Sequence, residues 1–317
     1  MPPSPAAADA SSHRSELLTG VAMALAAATL WGTTGTAQSL APAGTSPYWV
    51  GALRLAVSAL FFWLLACWPV RTPTPGPPPS ASGRGSGAGA TSAILLAGAC
   101  MAGYNLAFFA GVKATGIAVG TAVAIGSGPV WAGLLQWALA RDPPAPLWWL
   151  GTALAVVGGV LLVGSGGQGL QADGFGLALC LGAGLGYAAY TLICQRLVRG
   201  ASPTVVTRQI FSVAALMALP VAALAGGQGV HGASGWAVVA YLGLVTTGLA
   251  YLLFSHALRR IAGATGVTLA MAEPVTAFVL AIFVVGERPA ALAYAGLAAV
   301  LGGLLLVVWT ETRGARR

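Results

Sequence analysis

Residues 129–163 and 274–308 carry one pattern twice without a gap: Pro129/Pro274, Val130/Val275, Ala132/Ala277, Leu135/Leu280, Pro144/Pro289, Ala145/Ala290, Leu147/Leu292, Gly151/Gly296, Ala153/Ala298, Gly158/Gly303, Leu161/Leu306 and Val163/Val308. Upstream the register still holds for Gly98/Gly243, Gly103/Gly248 and Phe109/Phe254, and Asp142 aligns with Glu287. A chain that repeats itself folds as two similar units. Because both copies are strongly apolar, those units belong in a bilayer. Duplicated halves are the usual build of secondary transporters, whose substrate site sits between the repeats near mid-membrane.

With 57% hydrophobic and only 7% charged residues, the chain cannot cover a water-soluble surface, since a soluble domain carries about 25% charged residues. Ten apolar stretches stand out, at about 17–37, 49–68, 92–112, 115–139, 146–164, 174–194, 204–225, 236–257, 262–285 and 289–309. Each is long enough to cross a hydrocarbon core about 30 Å thick at about 1.5 Å per residue. The expected fold class is an all-α integral membrane protein, with ten transmembrane helices as two inverted five-helix repeats; an odd number of spans per half forces the second half in from the opposite side.

The expected domains are a disordered cytoplasmic tail at 1–16, a first five-helix repeat at 17–164, a second at 174–310 and a basic cytoplasmic tail at 311–317. Residues 71–91, rich in Pro, Gly and Ser, read as a flexible cytoplasmic loop. The first residues are polar and carry no signal-peptide pattern.

A net charge of +8 invites a nucleic-acid reading, which the placement of the charges excludes. With the N-terminus in the cytoplasm, Arg14, Arg71, Arg84, Arg141, Arg196, Arg199, Arg208, Arg259, Arg260, Arg313, Arg316 and Arg317 fall at the inner face, against Lys113 and Arg288 outside. That asymmetry is the positive-inside signal of a multi-pass protein of the cytoplasmic membrane with both termini cytoplasmic. Cys67, Cys100, Cys180 and Cys194 lie within spans, with no zinc-type spacing, and read as reduced packing residues.

Two features in corresponding places carry a family resemblance: Gly128-Pro129-Val130 with Arg141-Asp142, and Glu273-Pro274-Val275 with Gly286-Glu287. Leu30-Trp31-Gly32 in the first span and the stretch from Pro47 to Arg54 fit the same pattern. The chain resembles the EamA-type drug/metabolite transporter superfamily over about 17–310. The resemblance implies alternating access for a small metabolite, amino acid or drug-like compound, and does not imply which. The first repeat departs from the second by having Gly128 where the second has Glu273, so any role of that acid exists once per chain.

Glu273 is the one deep acid, about eleven residues into the ninth span, where an unpaired charge is expensive and must be paired, solvated or protonated. Pro274 removes an N–H and is expected to free the carbonyl of Ala270, kinking the helix beside the carboxyl; Pro129 is the corresponding kink in the first half. Glu273 reads either as a site for a cationic group or coupling proton, or as a structural carboxyl held by donors. Arg54, the one deep base, reads either as a fork for a substrate carboxylate or a partner that neutralises Glu273 in one transport state, or as a structural residue that snorkels outward or ties down helix ends.

Trp31, Tyr104, Asn105, Tyr187 and Tyr251 supply the aromatic faces and polar handles that a cavity needs, with core packing as the plainer alternative for each. His256, near the end of the eighth span, reads as interfacial. Gly116/Gly120 and Gly182/Gly186 have GxxxG spacing and are read as packing within one chain; a homodimer stays open.

No HExxH, acid cluster or nucleophile–His pair is present, so an intramembrane enzyme, a metal and a cofactor are not expected. No GxxxxGK[ST] loop occurs, which points to an ion gradient, the membrane potential or exchange as the energy source. Two inverted halves with one unpaired acid suit a carrier better than a symmetric channel. The expected function is therefore a secondary transporter, an exporter with protons as counter-substrate, with an uptake or exchange carrier as the alternative.

Overall fold

The computed structural model describes residues 5–40, 42, 45–67, 86–141, 143–164, 173–285 and 289–314. Among them, nine helices are long and apolar enough to cross a membrane, and a tenth apolar helix covers Pro146–Leu162. In chain order they are α1 (Pro5–Gly32) continued by the short α2 (Thr34–Ser39), α3 (Pro47–Cys67), α4 (Ser86–Thr115), α5 (Ile117–Ala140) and α6 (Pro146–Gly164). The second half has α7 (Gly174–Gly200), α8 (Pro203–Ala225), then α9 (Gly232–Tyr241), a π-helical stretch Leu242–Leu249 and α10 (Ala250–Ala257) as one span. A broken span follows, with α11 (Gly263–Leu269), a 3₁₀ turn Ala270–Ala272, α12 (Glu273–Leu280) and a π-helical end Ala281–Val285, before the last helix α13 (Ala291–Gly314).

Two boundaries differ from the sequence expectation. Residues 5–16 are helical and lengthen α1, so the expected disordered tail of 1–16 is helix from Pro5 on. Nothing in that stretch stops a helix, and its Ala and Ser residues tolerate one. Glu311 to Gly314 likewise belong to α13 rather than to a tail. Of the expected loop 71–91, residues 71–85 lie outside the described residues, and 86–91 open α4.

The helices pair as two inverted halves must. α6 packs on α13 and α3 on α8, each helix against its own counterpart, while α4 on α7 is mirrored by α10 on α1. Glycines at the self-paired crossing show the symmetry atom by atom. A Cβ on Gly158 would sit 2.5 Å from the nitrogen of Val300 and 2.6 Å from the carbonyl oxygen of Gly296; one on Gly303 would sit 2.6 Å from the nitrogen of Ala155 and 2.5 Å from the carbonyl oxygen of Gly151. Those residues are repeat equivalents, so a pseudo-twofold axis passes through this crossing. Close backbone approach of this kind is what small residues provide between membrane helices, where the apolar solvent gives no hydrophobic drive.

The same symmetry extends further than the sequence match. Gly98 of α4 abuts Val213 and the Ile210 carbonyl of α8, and Gly243 abuts Val57 and the Arg54 carbonyl of α3. The equivalence makes Ile210 the counterpart of Arg54. Gly20 against Arg260, and Gly176 against Thr115, fix the register of α1 on α7 in the same way. The same number of residues beyond Gly20 and Gly176 stand Trp31 and Tyr187, which are therefore counterparts.

Contacts between ends fix the relative sides. Arg260 Nε bonds Glu16 Oε2 at 2.8 Å, and Glu311 of α13 lies beside α11, so both ends of the described chain share one side. The loops before α3 and before α9 meet on the other, where Ser46 N donates to Gln228 O at 3.0 Å. Leu60, Leu64, Leu216, Leu224, Phe283 and Leu305 all point outward and exposed, a surface for lipid rather than water.

Glu311 is a structural clasp that its place near the C-terminus concealed. Its carboxylate accepts the N–H of Ala262 at 2.8 Å and the hydroxyl of Thr265 at 2.5 Å, holding the first turn of α11 against α13. Glu311→Ala leaves both donors without that partner and is expected to lower stability by roughly 1–3 kcal/mol. Thermal unfolding of the purified protein checks this, with Thr265→Val giving part of the same loss.

Candidate functional site

α11 and α12 put Glu273 at a break in backbone pattern. The α-helix stops at Leu269, a 3₁₀ turn intervenes and α12 begins with Glu273 followed by Pro274, whose missing N–H is harmless in a first turn. The carbonyl of Ala270, expected to be free, accepts the N–H of Glu273 in the 3₁₀ pattern. The counterpart Pro129 sits inside α5, which stays one continuous α-helix from Ile117 to Ala140. Gly32 lets α1 touch this break: a Cβ there would lie 2.6 Å from the Glu273 carbonyl oxygen and 2.5 Å from Thr276.

A cavity of about 70 Å³ opens in front of the break. Its wall contains Glu273, Arg54, Trp31, Tyr104, Asn105 and Tyr187, so the structure brings six of the seven sequence candidates onto one surface. Tyr251, the seventh, does not line it; its ring stands behind Trp31 at 4.9 Å between centroids. Thr34, Phe108, Phe109, Ala124, Ile125, Val267 and Ala270 complete the lining. Most of these are apolar residues indistinguishable in sequence from ordinary packing. Ile125 and Ala270 are repeat counterparts, as are Trp31 and Tyr187, so the pocket straddles the pseudo-twofold.

Arg54 is held rather than snorkelling. It is 8% exposed, and its Nε donates to Thr247 Oγ1 at 3.0 Å in the π-helical stretch Leu242–Leu249. π-Helical turns are often found at functional sites. Arg54 and Glu273 do not form an ion pair, and among the described residues the Glu273 carboxylate has no hydrogen bond. Asn105 Nδ2 donates to Met101 O at 3.0 Å. Trp31 Nε1 is buried without a partner. The wall thus offers one acid, one base and an unpaired indole N–H around a small apolar space.

The side nearer the chain ends is closed by rings packed edge-on and tilted against one another. Trp31 packs on Phe254 at 5.2 Å, Tyr187 on Tyr190 at 6.3 Å and Phe211 on Tyr251 at 4.9 Å. Beyond that layer a second cavity of about 540 Å³ opens at the end of the bundle, between Gln136, Trp148, Arg199, Arg259, Thr265 and Glu311. Ala264 and Thr265 face it, whereas Val267 and Ala270 face the inner cavity. The short helix α11 is thus the partition between the two.

The remaining candidates have plainer surroundings. His256 Nδ1 lies 2.8 Å from Leu252 O within its own helix. Gly120 fits against Val112 and Thr115, and Gly186 against the Cys100 carbonyl, so both are filled from within the chain; Gly116 and Gly182 face open space. The four cysteines are free, with Cys180 and Cys194 buried. No group of residues suited to holding a metal occurs among the described residues.

Comparison with known proteins gives a consistent picture. The EamA-like transporter family matches at residues 18–164 and again at 174–309. An uncharacterised transporter of Bacillus subtilis strain 168, YwfM, is 36% identical over 283 residues, 89% of this chain and 91% of that protein. The threonine/homoserine exporter RhtA of Escherichia coli K12 is 30% identical over 227 residues, 69% of this chain and 73% of its own. A solved crystal structure superposes with a TM-score of 0.76 over 93% of this chain and 98% of the other, at 19% identity, a likeness of fold.

Proposed function

Since this chain belongs to the EamA-like transporter family, we propose that it exports a small amino acid or a zwitterionic metabolite of similar size. The membrane is the cytoplasmic one, both termini face the cytoplasm, and the two five-helix halves rock about the pseudo-twofold. The observation that carries this reading is a single deep carboxylate, Glu273, and a single deep guanidinium, Arg54, on one small wall without closing on each other. An α-amino acid presents the complementary pair: its ammonium meets Glu273, its carboxylate meets the fork of Arg54, and a short side chain rests against Trp31 and Tyr187.

The size of the space supports a small cargo. About 70 Å³ admits a few water molecules at roughly 10–15 Å³ each, and drug-sized ligands occupy sites of about 300–1,000 Å³. The similarity to a protein named a threonine/homoserine exporter points the same way. Exchange for protons is supported by Glu273 being the one carboxylate on that wall, able to take up a proton when the ammonium leaves. On the way out Glu273 carries the ammonium, and on return it carries a proton.

Counterflow in proteoliposomes tests the charge requirement. Threonine or homoserine is expected to show saturable counterflow. The amide, lacking the carboxylate, and the hydroxy acid, lacking the ammonium, are each expected to lose about tenfold or more, the size of one charge-assisted contact. Arg54→Gln should penalise the parent substrate and leave the amide unaffected. Equal transport of all three compounds would remove the zwitterion from the reading.

A further inference from the structure

The face between α3 and α8 holds a cation that the transport cycle does not use. Arg208 stands about 7.5 Å along α8 from Pro203, and Trp63 about 6 Å from the end of α3 at Cys67, so both lie at one depth on the side of the chain ends. The guanidinium carbon is 4.5 Å above the centre of the Trp63 ring. Trp63 is 52% exposed, yet its orientation is fixed: Trp63 Nε1 donates to Ser212 Oγ at 3.1 Å, and Ser212 Oγ donates to the Arg208 carbonyl at 2.8 Å.

Held this way, Arg208 has no anion. Its Nε is buried without a hydrogen-bond partner, and no ion pair involves it among the described residues. The terminal nitrogens are not buried in this way and remain the approachable edge. A buried guanidinium N–H lacking an acceptor is costly. At the boundary between headgroups and hydrocarbon the abundant acceptor is lipid phosphate, whose geometry a guanidinium fork matches. Leu60 and Leu64 on α3 and Leu216 on α8 are exposed on the same helices, an apolar surface suited to acyl chains.

We propose that Arg208, stacked on Trp63, is a binding site for the phosphate of an anionic phospholipid between α3 and α8. These two helices are each other's counterparts in the halves, so a bound lipid bridges the two moving units. The site is independent of the cargo and does not require the reading of the central cavity.

The test uses the purified full-length protein, titrated with phosphatidylglycerol or phosphatidylcholine and followed by native mass spectrometry and thermal unfolding. Wild type is expected to retain phosphatidylglycerol better than phosphatidylcholine, because the choline cation of the latter offsets the charge of the same phosphate and repels the guanidinium. Arg208→Gln should abolish the preference, and Trp63→Leu, which keeps the charge and frees the side chain, should weaken it. Equal phosphatidylglycerol retention by wild type and Arg208→Gln would overturn the site; should that variant fail to fold, undiminished retention by Trp63→Leu would do so. Stabilisation by inorganic phosphate alone to the same extent would replace lipid by a soluble anion and equally overturn the proposal.

Discussion

Replacing Glu273 by glutamine is expected to lower counterflow by one to two orders of magnitude while leaving folded carrier in the membrane. The fold should survive because glutamine has the same shape and no hydrogen bond or ion pair among the described residues depends on the carboxylate. Transport should not, because the amide can neither neutralise an ammonium nor carry a proton. A charge-assisted contact of about 1.5–3 kcal/mol corresponds to about a 10- to 150-fold change. The wild-type rate should vary with pH and the variant's residual rate should not. Unaltered rate and pH dependence in Glu273→Gln would leave a carrier whose acid is structural.

Gly158→Val is expected to have the largest effect on folding. Its new Cβ would meet a backbone nitrogen at 2.5 Å and a backbone oxygen at 2.6 Å, both on α13. Neither atom can rotate away as a side-chain end would, so α6 and α13 must separate along their length. Overpacking of this kind costs about 1–3 kcal/mol, and here the axis between the halves bears it. Gly303→Val, the counterpart, should match it within error, whereas Gly89→Ala, with open space around it, should change nothing. The readouts are melting temperature and the yield of monodisperse protein; a Gly158→Val protein as stable as wild type would show that the crossing can open freely.

The sequence displayed the halves unevenly, for a physical reason. From α4 to α6 and from α9 to α13 the copies keep one register, and paired glycines at backbone contacts admit no substitute, so Gly151/Gly296 and Gly158/Gly303 could be read directly. The first helices of each half hide theirs, because the stretch from Val57 to Gly98 is longer than the equivalent stretch from Val213 to Gly243, which shifts the register, and apolar residues facing lipid exchange freely. Trp31/Tyr187 and Arg54/Ile210 emerge as counterparts only from contacts.

The cavity was legible through its oddities. Glu273, Arg54 and Asn105 are out of place in hydrocarbon and announce themselves, whereas Val267, Ala270 and Ile125 do not. Partners were not legible: the Arg54–Thr247 bond and the clasp of Glu311 on Ala262 and Thr265 depend on how helices rotate against one another, which one chain's periodicity does not give. Tyr251 shows the converse, a polar aromatic spent on packing behind Trp31.

The pseudo-twofold at the α6–α13 crossing has a consequence for biogenesis. A body whose halves are inverted copies offers the bilayer nearly the same apolar girth whichever way up it stands, so hydrophobicity alone cannot tell its top from its bottom. Yet Glu273 has Gly128 as its counterpart and Arg54 has Ile210, so an upside-down molecule would present its charges to the wrong compartment. The decision therefore rests on arginines at the helix ends, whose uneven distribution between the two sides sets which way the carrier points.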